Sequence, residues 1–108
     1  MNDGAFYKVG VKPVTLRTSA TPLNGWYLFN SNAVTAYLQI FDVKSTDEVI
    51  VGTTRPTLSL GIPAGSAANL SADGIRDFLK GLVVAATTTS DGSVALLNLL
   101  EINLFFCS

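Results

Sequence analysis

The residues able to do chemistry are few and poorly spaced for it. The 108 residues contain no histidine, so the commonest general base near neutral pH and the commonest transition-metal ligand are both missing. Asp47 and Glu48 are adjacent acids, but neighbouring strand positions point to opposite faces, so they form no carboxylate pair. Asp73 and Asp77 stand four apart and would meet only on a helix, so both pairs read as solvated surface. Cys107 is the single cysteine. It cannot form an intrachain disulfide, and its place beside the terminus reads as packing rather than as a redox or metal site. Gly61-Ile62-Pro63-Ala64-Gly65 lacks the Gly-Lys-Ser/Thr ending of a phosphate loop. Asn69-Leu70-Ser71 fits the N-glycosylation pattern, with nothing to mark the chain as secreted. We expect no catalytic residues, no cofactor and no metal, and hence no enzyme.

The elements that must position whatever site exists are short. Pro13, Pro22, Asn24-Gly25, Asn30-Ser31-Asn32, Gly52, Pro56, Pro63, Gly65, Asp73-Gly74, Gly81 and Asp91-Gly92 break the chain into pieces. Between them lie runs rich in Val, Ile, Thr, Tyr and Phe, clearest at 25–30, 34–42, 57–62, 81–88 and 98–106, with weaker runs at 14–18, 48–51 and 67–70. Several alternate with period two. Ala36, Leu38 and Ile40 oppose Thr35, Tyr37 and Gln39, and Leu58, Leu60 and Ile62 oppose Thr57, Ser59 and Gly61. Leu100, Ile102, Leu104 and Phe106 oppose Glu101, Asn103 and Phe105 in the same way. The stretch 71–79 is granted at most one helical turn, because Gly74 interrupts it. The tract 87–93 reads as a hairpin tip turning at Asp91-Gly92.

Seven or eight short strands in one domain point to an all-β fold: a two-sheet antiparallel sandwich, jelly-roll-like, with an N-terminal arm. The division is an arm at residues 1–12 and a sandwich domain at 13–108. Residues 1–12 show no clean alternation and no evident partner strand, so they are expected to clamp a neighbouring subunit, with the body folding without them.

Charge is sparse: seven basic and eight acidic residues give a net charge of −1, and 48% of residues are hydrophobic. That balance lacks the clustered cations of a nucleic-acid surface. No run is long enough for a spanning helix, and residues 1–10 lack the basic start and apolar run of an export leader, so neither membrane insertion nor export is expected. With so little charge, part of the apolar strand surface is expected to serve neighbours. The candidate interface residues are Phe6, Tyr7 and Val9 of the arm, Trp26 as an aromatic anchor, and Arg55 and Arg76, whose guanidinium groups suit a partner's carboxylate or backbone. Of the aromatics on one strand, Tyr27 and Phe29 are expected in the core and Trp26 on the opposite face or at an edge.

Three strings carry a resemblance: GWYLFNSNAVTAYLQIFDV at 25–43, VGTTRPTLSLGIPAGSAANL at 51–70 and GLVVAATTTSDGS at 81–93. Together they resemble small phage-encoded virion proteins of the jelly-roll capsid decoration, or cement, kind. The resemblance implies a subunit lying over joints in a bacteriophage capsid and bridging copies of the major capsid protein. It also implies self-association, expected as a homotrimer, and a location on the outer capsid surface after synthesis in the bacterial cytoplasm. These strings are fold and turn patterns, and they identify no contact residue. Two other readings stay open: a tail, baseplate or fibre subunit, and a carbohydrate-binding module using Trp26 or Tyr37. The second lacks any polar cluster that the sequence places beside an exposed aromatic.

Overall fold

Eight strands follow one another: β1 (Asn2–Val9), β2 (Val14–Arg17), β3 (Thr21–Phe29), β4 (Ala36–Phe41), β5 (Leu58–Ile62), β6 (Ala67–Phe78), β7 (Leu82–Thr87) and β8 (Leu100–Cys107). They come from a computed structural model that describes the backbone of residues 2–107, and the side chains of all these except 2–5, 70–75 and 107. A 3-10 turn at Thr46–Glu48 is capped by Ser45, whose side chain accepts from the Asp47 amide. Among the described residues there is no α-helix.

The pairing is nested: β1 with β8, β2 with β7, β3 with β6 and β4 with β5, all antiparallel. The chain is therefore one long folded-back ribbon. Two further pairings, β3 with β8 and β4 with β7, roll that ribbon into two four-stranded sheets ordered β1-β8-β3-β6 and β2-β7-β4-β5. This is the strand order of a jelly roll, in which two interleaved Greek keys form a double sheet. The expected fold class is the observed one.

Between the sheets lies a single core. Ala36, Leu38 and Ile40 of β4, Leu82, Val84 and Ala86 of β7, and Leu100, Ile102, Leu104 and Phe106 of β8 are all buried there. Leu58 and Leu60 pack against it, and Ile62 is fully buried. Each of these leucines and isoleucines stabilises the fold by roughly 1.5–3 kcal/mol when fully buried, which outweighs any weakness of local propensity.

Residues expected to form an unpartnered arm instead include an edge strand. Asn2–Val9 pairs with Cys107–Leu100 along its whole length, and Val9 is fully buried in the core. The partner lies at the other end of the chain, so no local pattern could announce it. The stretch expected to hold a helical turn is strand β6, which pairs with β3. Ser71, Arg76, Asp77 and Phe78 find a ready-made partner edge on β3, while Ala72-Asp73-Gly74 falls in the register shift opposite Asn24. Asn24-Gly25 is no turn either; it lies within β3 at a break in register with β6 and β8. Asp91-Gly92 does not join two strands of a hairpin, because β7 and β8 belong to different sheets and the connection crosses between them. Residues 48–51 form part of the β4–β5 connection rather than a strand.

Two polar devices hold the connections. At one end, Asn30 Nδ2 donates to the carbonyls of Val34 (2.8 Å), Ile62 (3.0 Å) and Pro63 (3.2 Å). Its Oδ1 accepts from the backbone and side-chain nitrogens of Asn32, both at 2.9 Å. Asn32 in turn exchanges two bonds with the Asn98 backbone, at 2.7 and 2.9 Å. Connections β3–β4, β5–β6 and β7–β8 are thereby stapled together. At the opposite end, the Asp42 carboxylate accepts from the amides of Leu79 (3.0 Å), Lys80 (2.8 Å) and Gly81 (3.4 Å). A Cβ at Gly81 would lie 2.6 Å from the carbonyl oxygens of both Arg17 and Val43, so this tight turn admits only glycine.

Candidate interaction surfaces

The two outer faces of the sandwich are treated differently. On the second sheet, Phe41, Val83 and Ala85 form a small cluster with Val49, and Val43 and Val51 of the β4–β5 connection pack over it. Gln39, beside them, is fully buried and donates to Thr87 Oγ1 (2.8 Å) and to the Gly92 carbonyl (3.0 Å). Its Oε1 is buried without a partner. Connections from both ends of the sandwich thus roof this face.

The first sheet has an open outer face. Directly paired residues in an antiparallel sheet share a face, so the register places Phe6, Asn103, Tyr27 and Asn69 in one row across β1, β8, β3 and β6. The adjacent row is Lys8, Glu101, Phe29 and Ala67. On the other side, Phe105 sits between Gly4 and Gly25, neither of which has a side chain to cover it. Phe6 is 53% exposed and Tyr27 45% exposed. Phe29, Phe105 and Asn103 are half-buried, and Asn69 is exposed. Four aromatic residues and two amides therefore share a face that no sequence window contained.

A second surface lies at the stapled end of the sandwich. Residues 10–13, 30–35, 63–66 and 88–99 connect the strands there, and Lys12 and Asp91 are their only charged residues. Val34, Val94, Leu97 and Leu99 are exposed large apolar residues in these connections, and Leu97 is 94% exposed. The Asn30–Asn32–Asn98 bonds fix their backbone, so ordering them on a partner costs little conformational entropy.

The expected interface residues fall in different places. Phe6 is on the open face, and Tyr7, partly exposed, pairs with Ile102 on the core side of the edge strand. Val9 is a core residue and Trp26 packs against the core, so neither is a free anchor. The bulge at Asn24 explains Trp26: one extra residue in β3 relative to β8 reverses the alternation that follows, turning Trp26 and Leu28 inward and Tyr27 and Phe29 outward. Arg55 is exposed in the β4–β5 connection and Arg76 is exposed on β6, so the structure does not bring them together with the arm residues. Arg17, not singled out from sequence, sits 5.0 Å from the centre of the Phe106 ring and caps the core with a cation–π contact. Tyr37 lies against Gly61, where an added Cβ would stand 3.0 Å from its ring.

The first acidic pair belongs to a capped turn. Glu48 accepts from the Lys44 amide at 3.2 Å, and Asp47 follows the Ser45 cap. Asp73 and Asp77 lie on a strand, where their spacing does not make the helical pair. Among the described residues, no group of three or more His, Cys, Asp or Glu side chains gathers in one place.

No family model matches the chain, and no curated protein matches it. Among solved structures, the chain is similar to the coat protein of Tobacco streak virus, with 9% sequence identity and a TM-score of 0.47, covering 99% of this chain and 86% of that one.

Proposed function

We propose that the chain is a non-catalytic structural subunit of a virus particle, and that it decorates a bacteriophage capsid by bridging copies of the major capsid protein from outside. The observation that carries this reading is the stapled, nearly uncharged end of the jelly roll, with Val34, Val94, Leu97 and Leu99 exposed on bonded connections. Jelly rolls recur in viral capsid and lectin domains, so the fold is compatible with the role without selecting it. The three sequence strings that resemble phage decoration subunits add support. Seated at a joint, such an end adds apolar contact, and a protein that binds the assembled shell but not its dispersed subunits stabilises the shell by linkage. Repeated copies multiply the effect.

The test is quantitative gel analysis of the particle that carries the chain, followed by occupancy of particles stripped of it and mixed with purified protein. A decoration subunit approaches the abundance of the major capsid protein, and a scarce band assigns the chain to a tail, baseplate or fibre. Leu97→Asp is expected to leave the melting curve unchanged and abolish occupancy, because Leu97 is almost wholly exposed in the free chain. Unchanged occupancy would remove the stapled end from the docking surface. Light scattering that finds only monomer at high concentration counts against the expected trimer.

A further inference from the structure

We propose that the open face of the first sheet binds an uncharged, unbranched β-linked glycan laid across the strands along the row Phe6–Asn103–Tyr27–Asn69. Phe6 on β1 and Tyr27 on β3 are separated by one strand, β8. At about 4.8 Å between neighbouring strands, their rings are roughly 10 Å apart along the row. Asn103 occupies the strand between them, and Asn69 follows on β6. Aromatic rings alternate with amides in a straight line, and Phe29 and Phe105 widen the apolar floor on either side of Tyr27.

A pyranose ring presents apolar C–H groups on its flat faces and hydroxyl groups around its rim. Exposed aromatic rings suit the first, and an amide, with both a carbonyl acceptor and NH2 donors, suits the second. The side chains of Asn69 and Asn103 make no hydrogen bond to any described residue, so both amides are available. A β-1,4-linked chain stays extended and keeps its ring faces along a line, as the row requires.

Charge selects the ligand further. The row has no ionisable acid or base other than the Tyr27 phenol, and in the next row Lys8 and Glu101 pair directly, one of each sign. The face therefore offers no net countercharge to a nucleic acid or a sulfated glycan, and it matches a neutral hydroxylated chain. A flat apolar protein partner would instead bury both amides unpaired, at about 1–3 kcal/mol each. The sequence alone showed no polar group beside an exposed aromatic, because residues 6, 27, 69 and 103 meet only through the sheet register.

The test uses the isolated full-length chain, so it does not depend on docking to a capsid. Cellohexaose and chitohexaose are titrated by calorimetry and by amide NMR, with a heparin hexasaccharide as the anionic control. We expect saturable binding of at least one neutral hexasaccharide, with shifts concentrated at Phe6, Tyr27, Asn69 and Asn103. Tyr27→Ala and Asn103→Ala are each expected to weaken it about tenfold or more, with Tyr27→Phe and the remote Ile50→Ser close to the parent. Three results overturn the proposal: no saturable binding of either neutral probe at millimolar concentration, preference for heparin, or binding indifferent to Tyr27→Ala. Loss of self-association in Tyr27→Ala without any glycan binding would instead assign the face to a second copy of the chain.

Discussion

Leu23 and Leu28 lie on one strand, an odd number of positions apart, and both are fully buried in the same core. A regular strand forbids this, because residues an odd distance apart point to opposite faces. Asn24 resolves it. Against β8, Leu23 pairs with Phe106 and Gly25 with Phe105, so two steps on β3 match one on β8 and the phase reverses at the bulge. The reversal decides which ring of Trp26-Tyr27 is structural and which is presented.

A paired substitution checks that phase. Trp26→Ala removes a side chain packed against the core and is expected to cost about 2–4 kcal/mol. Tyr27→Ala removes an exposed ring and is expected to cost less than about 1 kcal/mol. Urea unfolding of the two variants measures both. Equal losses, or a larger loss at Tyr27, would show the opposite phase.

The same pair of residues marks the boundary of what sequence could tell. Period-two patterns at 36–41, 58–62 and 100–106 located β4, β5 and β8 and named the faces that meet the main core, because alternation is local, but not the burial of Gln39 and Phe41 on the other face of β4. The phase of β3 was misassigned, since a bulge is a property of pairing with β8 and leaves no mark in β3 itself beyond Asn24-Gly25, which also reads as a turn. Strand β6 is not legible past residue 70 because Ser71, Arg76, Asp77 and Phe78 become strand only against β3, with a register shift between Ser71 and Arg76. The row Phe6–Asn103–Tyr27–Asn69 was illegible for the same reason: its four members come from four separate strands. Only Asn103 sits in a run whose alternation is legible, and no window relates one run to another.

The Asn30 side chain is expected to be among the most sensitive polar positions. It is fully buried, donates to three carbonyls and accepts twice from Asn32. Asn30→Asp changes one atom but turns the donor into an acceptor facing those carbonyls, so it should cost at least as much as Asn30→Ala, on the order of 2–4 kcal/mol. Denaturant midpoints of the two variants test the order. A neutral Asn30→Asp would mean that the three connections are held by other contacts.

Asp42 gives the fold an acid-sensitive turn. Burial, the largest single influence, pushes its carboxyl up, but the amides of Leu79, Lys80 and Gly81 and the charge of Lys80 together outweigh it, and the pKa lies below the ordinary 3.8. A depressed folded pKa means that the ionised form favours the native state. Its contribution is complete above the unfolded value and is lost as pH falls through the folded one. The stability difference between the parent and Asp42→Asn should therefore be constant near neutrality and shrink below pH 3.8. Paired thermal melts across that range measure it. A difference that grows on acidification would contradict the capping role.

Removing residues 1–9 tests whether the N-terminal segment is a strand or an arm. An arm could be deleted with the sandwich intact. In the structure the deletion strips β1 from β8 along its whole length, removes Val9 from the core and breaks the continuity of the row at Phe6. Burial of Val9 alone contributes roughly 1.5–3 kcal/mol, and losing the ladder turns β8 into an exposed edge that carries Leu100, Ile102 and Leu104. A total loss of about 3 kcal/mol would lower the melting midpoint by roughly 12 °C or more in a domain of this size. The bare edge should also promote association through strand pairing. Circular dichroism melts and light scattering of the truncated and full-length chains report both effects. If the truncated protein melts with the parent and stays equally monodisperse, residues 2–9 contribute nothing to the sheet, and the segment acts outside the domain.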